Sequence, residues 1–197
     1  THSTQMNTPA LLLSLGAYLV GAIPFAVIVG KRFDIDPRTA GSRNVGATNV
    51  ARLMGWKAGV TVLILDISKG ALAAFAGLQF DYSWALTAGF CSIFGHCYSI
   101  WLRGRGGKGV ATSLGVLSIV NPIAAGLALF VWIATAVFFR IAAVSSLLAM
   151  GTVVIVCRLN NTSFDLQLFT LVLFILITIR HTSNLRVLKK RWFTKSK

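Results

Sequence analysis

The sequence predicts an all-α, polytopic membrane protein with seven transmembrane helices, and three observations carry that reading. Hydrophobic residues make up 55% of the 197-residue chain and only 12% are charged, with a mean hydropathy of +0.74. That composition suits a multi-spanning membrane protein, not a soluble domain. The apolar residues gather into separate runs, most of them near the ~20 residues needed to cross a bilayer. The cations collect between alternate runs: 19 Lys and Arg face only five acids, all of them Asp, for a net charge of +14.

The first run covers 10–30, follows a polar leader at 1–9, and contains Pro24, which membrane helices tolerate. It carries no preceding cluster of cations and is long enough to span, so it reads as a span and not a cleavable signal. Met6 is a candidate start. A polar loop at 31–57 holds six cations and two acids, and the second run, 58–78, carries Asp66 and Lys69 inside it. The third run is 83–102. GRGGKG follows at 104–109, then an eleven-residue apolar piece at 110–120, stopped by Asn121-Pro122. The remaining runs are 123–139, 141–157 and 165–179, before a basic tail at 188–197. The whole is expected to be one domain.

Charge settles how the short piece counts. If it crosses, 17 of the 19 Lys and Arg lie on one face, with Arg158 opposite and Lys69 within the membrane. If it folds back, every later segment inverts. The bias of Lys and Arg toward the cytoplasmic side favours seven crossings, N-terminus outside and C-terminus cytoplasmic. Trp56, Trp84, Trp101 and Trp192 fall near span ends, as interfacial tryptophans do. The basic excess is thereby accounted for by topology without a nucleic-acid partner. Cys91, Cys97 and Cys157 are odd in number and mostly sit in apolar runs, against a disulfide framework, and no metal-ligand cluster or cofactor motif appears.

This topology puts three polar stretches on one face. GRGGKG combines glycines that allow close backbone approach with Lys108 and a following helix start, which suits a phosphate or carboxylate. It is not a nucleotide P-loop, because Gly109 follows Lys108 where that motif has Ser or Thr. GSRNVGATNVAR at 41–52 offers Ser42, Asn44, Thr48, Asn49 and Arg52 as donors to a phosphate or polyol, although such residues also cap helices and turns. His181 and Asn184 end the last run beside a polybasic stretch that would suit anionic lipids on its own. His96 precedes GRGGKG, and either histidine is able to bind phosphate, act as a base or bond a backbone carbonyl.

Asp66 and Lys69, spaced i, i+3, share a helix face ~12 Å into their span. Each charge there costs ~3 kcal/mol on insertion scales, so pairing or a polar pocket is expected. Paired carboxylates for glycosidase chemistry and a GxSxG elbow are absent. A membrane transporter of organic phosphate anions is the alternative that shares the cationic mouth and the buried pair.

The stretches GSRNVGATNVARLMGWKAG from 41, LDISKG at 65–70, GHCYSIWLRGRGGKGVAT at 95–112 and HxxN at 181–184 together resemble the bacterial acyl-phosphate:glycerol-3-phosphate acyltransferases of the inner membrane. The resemblance runs over about 10–187. It departs at Tyr98-Ser99, where the family often has Phe-Pro, and after HxxN, where Val187, Arg191 and Phe193 stand in place of the family's Arg, Gly and Glu. The resemblance implies transfer of a fatty acyl group from acyl phosphate to the 1-hydroxyl of glycerol 3-phosphate, giving lysophosphatidic acid for phospholipid synthesis. It assigns the acyl-phosphate phosphate to Gly104, Gly106, Gly107, Lys108 and Gly109, with His96, Lys108 and Asp66 as catalytic residues. Glycerol 3-phosphate falls to Ser42, Asn44, Thr48, Asn49, Arg52, Lys69, His181 and Asn184. No cofactor or metal is implied; the partners are both substrates, the lipid bilayer and, as a candidate, the enzyme that forms acyl phosphate.

Overall fold

The computed structural model describes residues 8–195, with side chains over 9–186. Among these residues the chain is helical throughout its regular structure: α1 (Thr8–Ala22), α2 (Phe25–Gly30), α3 (Ala47–Met54), α4 (Trp56–Leu78), α5 (Tyr82–Cys97), α6 (Val110–Val120), α7 (Pro122–Phe139), α8 (Ala142–Leu159) and α9 (Phe164–Lys195), with 3-10 turns at Lys31–Phe33 and Ile100–Leu102. Six segments are long and apolar enough to cross a membrane: Pro9–Phe33, Trp56–Leu78, Tyr82–Leu102, Pro122–Phe139, Ala142–Leu159 and Phe164–Arg186. The seventh expected helix, α6, is present at the expected bounds. Its length of ~16 Å, at the helical rise per residue, is about half a hydrocarbon core. The leader and the tail cations beyond Arg186 have side chains outside the described residues, as does Trp192.

Contacts group the chain into two compact units, Thr1–Pro122 and Ile123–Lys197. In the first, α4 is central: it packs against α3, α5 and α6, and α1 packs on α5. Small residues let the backbones meet. A Cβ on Gly115 of α6 would collide with the carbonyl of Ile67 on α4, and one on Gly70 of α4 would collide with the carbonyl of Thr112 on α6. Between α1 and α5 the same holds for Gly21 against Ser92 and Gly95 against Tyr18. Lipid supplies no hydrophobic force between helices, so such close approach is what holds them together.

Two expectations are corrected here. The first run is not one helix but two, broken at Ile23-Pro24, because proline has no N–H for the ladder and its ring clashes with the preceding turn. The loop at 31–57 is not all loop: extended Gly46 (φ −133°, ψ 162°) starts α3 and Gly55, at φ 87°, ends it. Val50 of α3 is buried in a cluster with Ala26, Val45, Ala58, Val62 and Leu102, which seats α3 on the first unit.

In the second unit, Trp132 Nε1 on α7 donates to Ser146 Oγ on α8 at 3.1 Å, and α8 packs on α9. At the α8–α9 turn Gln167 Nε2 donates to Thr162 O at 2.7 Å, and Arg158 donates to Gln167 Oε1 at 3.0 Å. The last helix continues well past its expected end near 179, because nothing in the polar sequence after it breaks a helix.

The close α4–α6 contact gives a direct test. Gly115→Ala adds one methyl against a backbone carbonyl and should cost at least ~1–3 kcal/mol, the usual penalty of overpacking. Gly126→Ala, whose Cβ meets nothing within 4 Å, should leave the thermal midpoint in detergent unchanged or higher.

Candidate active site

The polar centre of the first unit begins with the two charges inside α4. Asp66 and Lys69 are 2% and 3% exposed, and Lys69 Nζ lies 2.8 Å from Asp66 Oδ1. Lys69 also donates to the carbonyl of Ile23 at 3.1 Å and sits 5.6 Å from the centre of the Phe25 ring. That carbonyl, at the proline break, also accepts from Phe25 N at 3.1 Å, and Ser99 Oγ donates to the carbonyl of Ala22 at 2.6 Å. On the other side, His96 Nδ1, in a residue 7% exposed, lies 3.4 Å from Asp66 Oδ1. The pair therefore ties the broken first span, α4 and the end of α5 together. Lys69, expected to bind glycerol 3-phosphate, is buried among these partners, and Asp66 faces Lys69 and His96.

His96 connects the pair to GRGGKG. Its imidazole lies against the loop so closely that a Cβ on Gly107 would collide with Nε2, and a Cβ on Gly106 would collide with the His96 carbonyl. The loop's amides are mostly spoken for: Gly104 donates to Ser99 O at 2.8 Å, Gly106 to Cys97 O at 3.2 Å and Gly107 to His96 O at 2.9 Å. These bonds close the loop, and the three glycines expected at a phosphate lie within it. They are needed for shape, including the left-handed turn at Gly104 (φ 76°). The loop ends at half-buried Lys108, left-handed Gly109 (φ 84°) and the start of α6, whose first intrahelical bond runs from Ser113 N to Gly109 O at 2.8 Å. The amides of Val110, Ala111 and Thr112 precede that bond, as at any helix N-terminus. Thr112 Oγ1 and Ser113 Oγ, in the same turn, are buried without a hydrogen-bond partner.

The loop before α3 is the second polar surface of this unit. Ser42, Thr48 and Arg52 are exposed and Asn44 is half-buried. Asn49 differs from them: it is 1% exposed, and its amide is bonded to the loop's own backbone, to Pro37 O, Ala40 O, Asn44 O and Ser42 N. On the exposed side, Arg38 binds the Asp36 carboxylate at 2.7 Å, and this hydrogen bond holds Asp36 below the usual carboxylate range.

In the second unit, His181 is buried and its Nδ1 lies 2.8 Å from the carbonyl of Ile177, one turn back in α9. Asn184 is half-buried one turn later, on the same face by its i, i+3 spacing, and Ser183 Oγ donates to its Oδ1 at 3.4 Å. Sequence reasoning missed Ser99 and the role of Ile23; Pro24 inside an apolar run was the available signal for both.

Comparison with known proteins places this arrangement. A family model described as glycerol-3-phosphate acyltransferase matches residues 11–191. The glycerol-3-phosphate acyltransferase of Latilactobacillus sakei is 40% identical, over 90% of this chain and 88% of that protein. Two crystal structures of PlsY (YgiH), an integral membrane glycerol 3-phosphate acyltransferase, superpose with a TM-score of 0.86. The glycerol 3-phosphate form is 36% identical and covers 93% of this chain and 94% of its own. The lysophosphatidic acid form is 34% identical and covers 93% of each.

Asp66→Asn leaves the Lys69 ammonium buried without its carboxylate and should destabilise the protein by ~3–5 kcal/mol. The double variant Asp66→Asn/Lys69→Met removes both charges and should recover part of that loss. Thermal unfolding in detergent measures both.

Proposed function

We propose that this chain, which belongs to the glycerol-3-phosphate acyltransferase family, moves a fatty acyl group from acyl phosphate to the 1-hydroxyl of glycerol 3-phosphate. It is an integral membrane acyltransferase. The observation that carries the choice of donor is the half-buried Lys108 beside Gly109 at the head of α6: a fixed cation and a helix N-terminus at one place, in a chain whose other substrate is also a phosphate. Acyl phosphate is an amphiphile with a doubly charged head, which suits a cationic site on a membrane protein. Both compact units are read as one acyltransferase domain over 1–197.

In the proposed reaction the glycerol 1-oxygen attacks the acyl carbon, a C–O ester bond forms, and the bond from that carbon to the phosphate oxygen breaks. Phosphate leaves with the electron pair, and the hydroxyl proton passes to a substrate phosphate. Because the mixed anhydride is already activated, the protein's work is positioning and charge stabilisation. Lys108, Gly109 and the first turn of α6 hold the leaving phosphate, with Gly104, Gly106 and Gly107 shaping the loop. His96 fixes that loop from beneath, and Asp66 fixes His96 and Lys69. Ser42, Asn44, Thr48 and Arg52 take glycerol 3-phosphate. For His181 and Asn184 the same role rests on the resemblance of HxxN alone. The site faces the cytoplasm of a bacterium, across its inner membrane, with the N-terminus outside and the C-terminus inside. The enzyme that makes acyl phosphate is the proposed upstream partner.

Purified protein given palmitoyl phosphate and glycerol 3-phosphate should form lysophosphatidate, and acyl-CoA or acyl carrier protein should not replace the acyl phosphate. Formation of product from either thioester instead would reject the donor. Lys108→Ala should lower kcat/KM by about 100-fold or more, the scale of losing one electrostatic contact to a developing charge, whereas a change within about twofold would remove Lys108 from the reaction.

A further inference from the structure

The segment 37–46 contains no helix or strand, yet three of its carbonyls and one of its amides converge on a single side chain. Asn49 Nδ2 donates to Pro37 O at 3.1 Å, Ala40 O at 3.2 Å and Asn44 O at 3.1 Å, while Oδ1 accepts from Ser42 N at 2.9 Å. An asparagine amide has two donor hydrogens and one carbonyl, so three carbonyl partners use its donors completely. It is also 1% exposed, which leaves no path for a soluble substrate to touch it.

The side chain is itself held still. Asn49 lies in the first turn of α3, where its own amide donates to Gly46 O at 3.0 Å, and its neighbour Val50 is fully buried. The loop is closed tightly around the amide. Gly41 is left-handed (φ 61°), and a Cβ there would collide with Asn49 Oδ1; Arg43, two residues on, is also left-handed (φ 58°). Exposed Ser42 therefore depends, through its own backbone N–H, on a group that stays behind the surface. Asn44 depends on the same group through its carbonyl.

We infer that Asn49 is a positioning residue: it contacts no substrate, and it holds the loop in the shape that presents Ser42 and Asn44 to glycerol 3-phosphate. This rests on the proposed placing of glycerol 3-phosphate at that loop. The role is specific to one substrate, because the side-chain bonds of Asn49 all end within 37–44 and none reaches Lys108 or the start of α6.

Steady-state kinetics on the full-length protein test it. Asn49→Ala should raise KM for glycerol 3-phosphate by about tenfold or more, leaving kcat within about threefold and KM for palmitoyl phosphate within about twofold. Gly41→Ala removes no polar group but pushes on the same amide, so it should give the same split, and the two changes should not add in the double variant. A rise in both KM values together, or a fall in kcat alone, overturns the inference. Amide exchange on the wild type decides it even if both variants misfold. The Ser42 N–H should be protected in the free enzyme and stay protected when glycerol 3-phosphate binds, whereas loss of protection on binding would make Asn49 a direct ligand. If the wild type forms no lysophosphatidate, the proposed function fails, while the exchange result still reports whether the loop is built this way.

Discussion

The ion pair between Lys69 and Asp66 is the constraint on which the first unit depends. Two charges inside a membrane span are expensive, and they persist only when each has several partners. Here the partners are supplied by other elements. The broken first span gives the carbonyl of Ile23, and the end of α5 gives His96. At the break the carbonyl of Ile23 accepts a short-range bond from Phe25 N at 3.1 Å, and backbone carbonyls outside the helical ladder of a span need donors from the protein. The cation in α4 and the hydroxyl of Ser99 meet that need. A defect in one helix and a charge in another thus stabilise each other.

The same centre sets the shape of GRGGKG. His96 faces Asp66 through Nδ1 and lies beneath Gly107 through its other nitrogen. Gly106 and Gly107 are then glycine because the histidine occupies the space that a side chain would need. Their amides return to the carbonyls of His96 and Cys97, which turns the chain back toward α6. The close contact of Gly70 with Thr112 and Gly115 with Ile67 fixes the start of α6 relative to the ion pair. Lys108 and Gly109 sit at that start. The start of α6 is therefore placed by packing behind it as well as by the loop's own hydrogen bonds.

Much of this could be read from the sequence, and the failures have physical reasons. Hydropathy located the spans because length and composition alone determine whether a helix crosses lipid. The i, i+3 spacing of Asp66 and Lys69 correctly foretold their pairing, since helical geometry fixes that distance. What spacing does not contain is the third partner, so the links to Ile23 and His96 were not legible. The surroundings of Asn49 were not legible for a related reason. Its residue type suits a ligand contact or a buried turn equally, and only burial and four bonds to the loop's backbone separate the two. Composition does not show where backbone N–H groups point, so the bonds that close GRGGKG were not legible either. Helix α3 was hidden in a polar loop because its eight residues bury only one side against the unit.

The buried ion pair holds the GRGGKG loop in place through His96. Amide hydrogen exchange over 95–112, compared between the wild type and Asp66→Asn in a folded detergent sample, tests it most directly. The amides of Gly106 and Gly107 should be protected in the wild type and clearly lose that protection in the variant, with the centres of α7 and α8 unchanged. Equal protection of the two glycines in both proteins would contradict it.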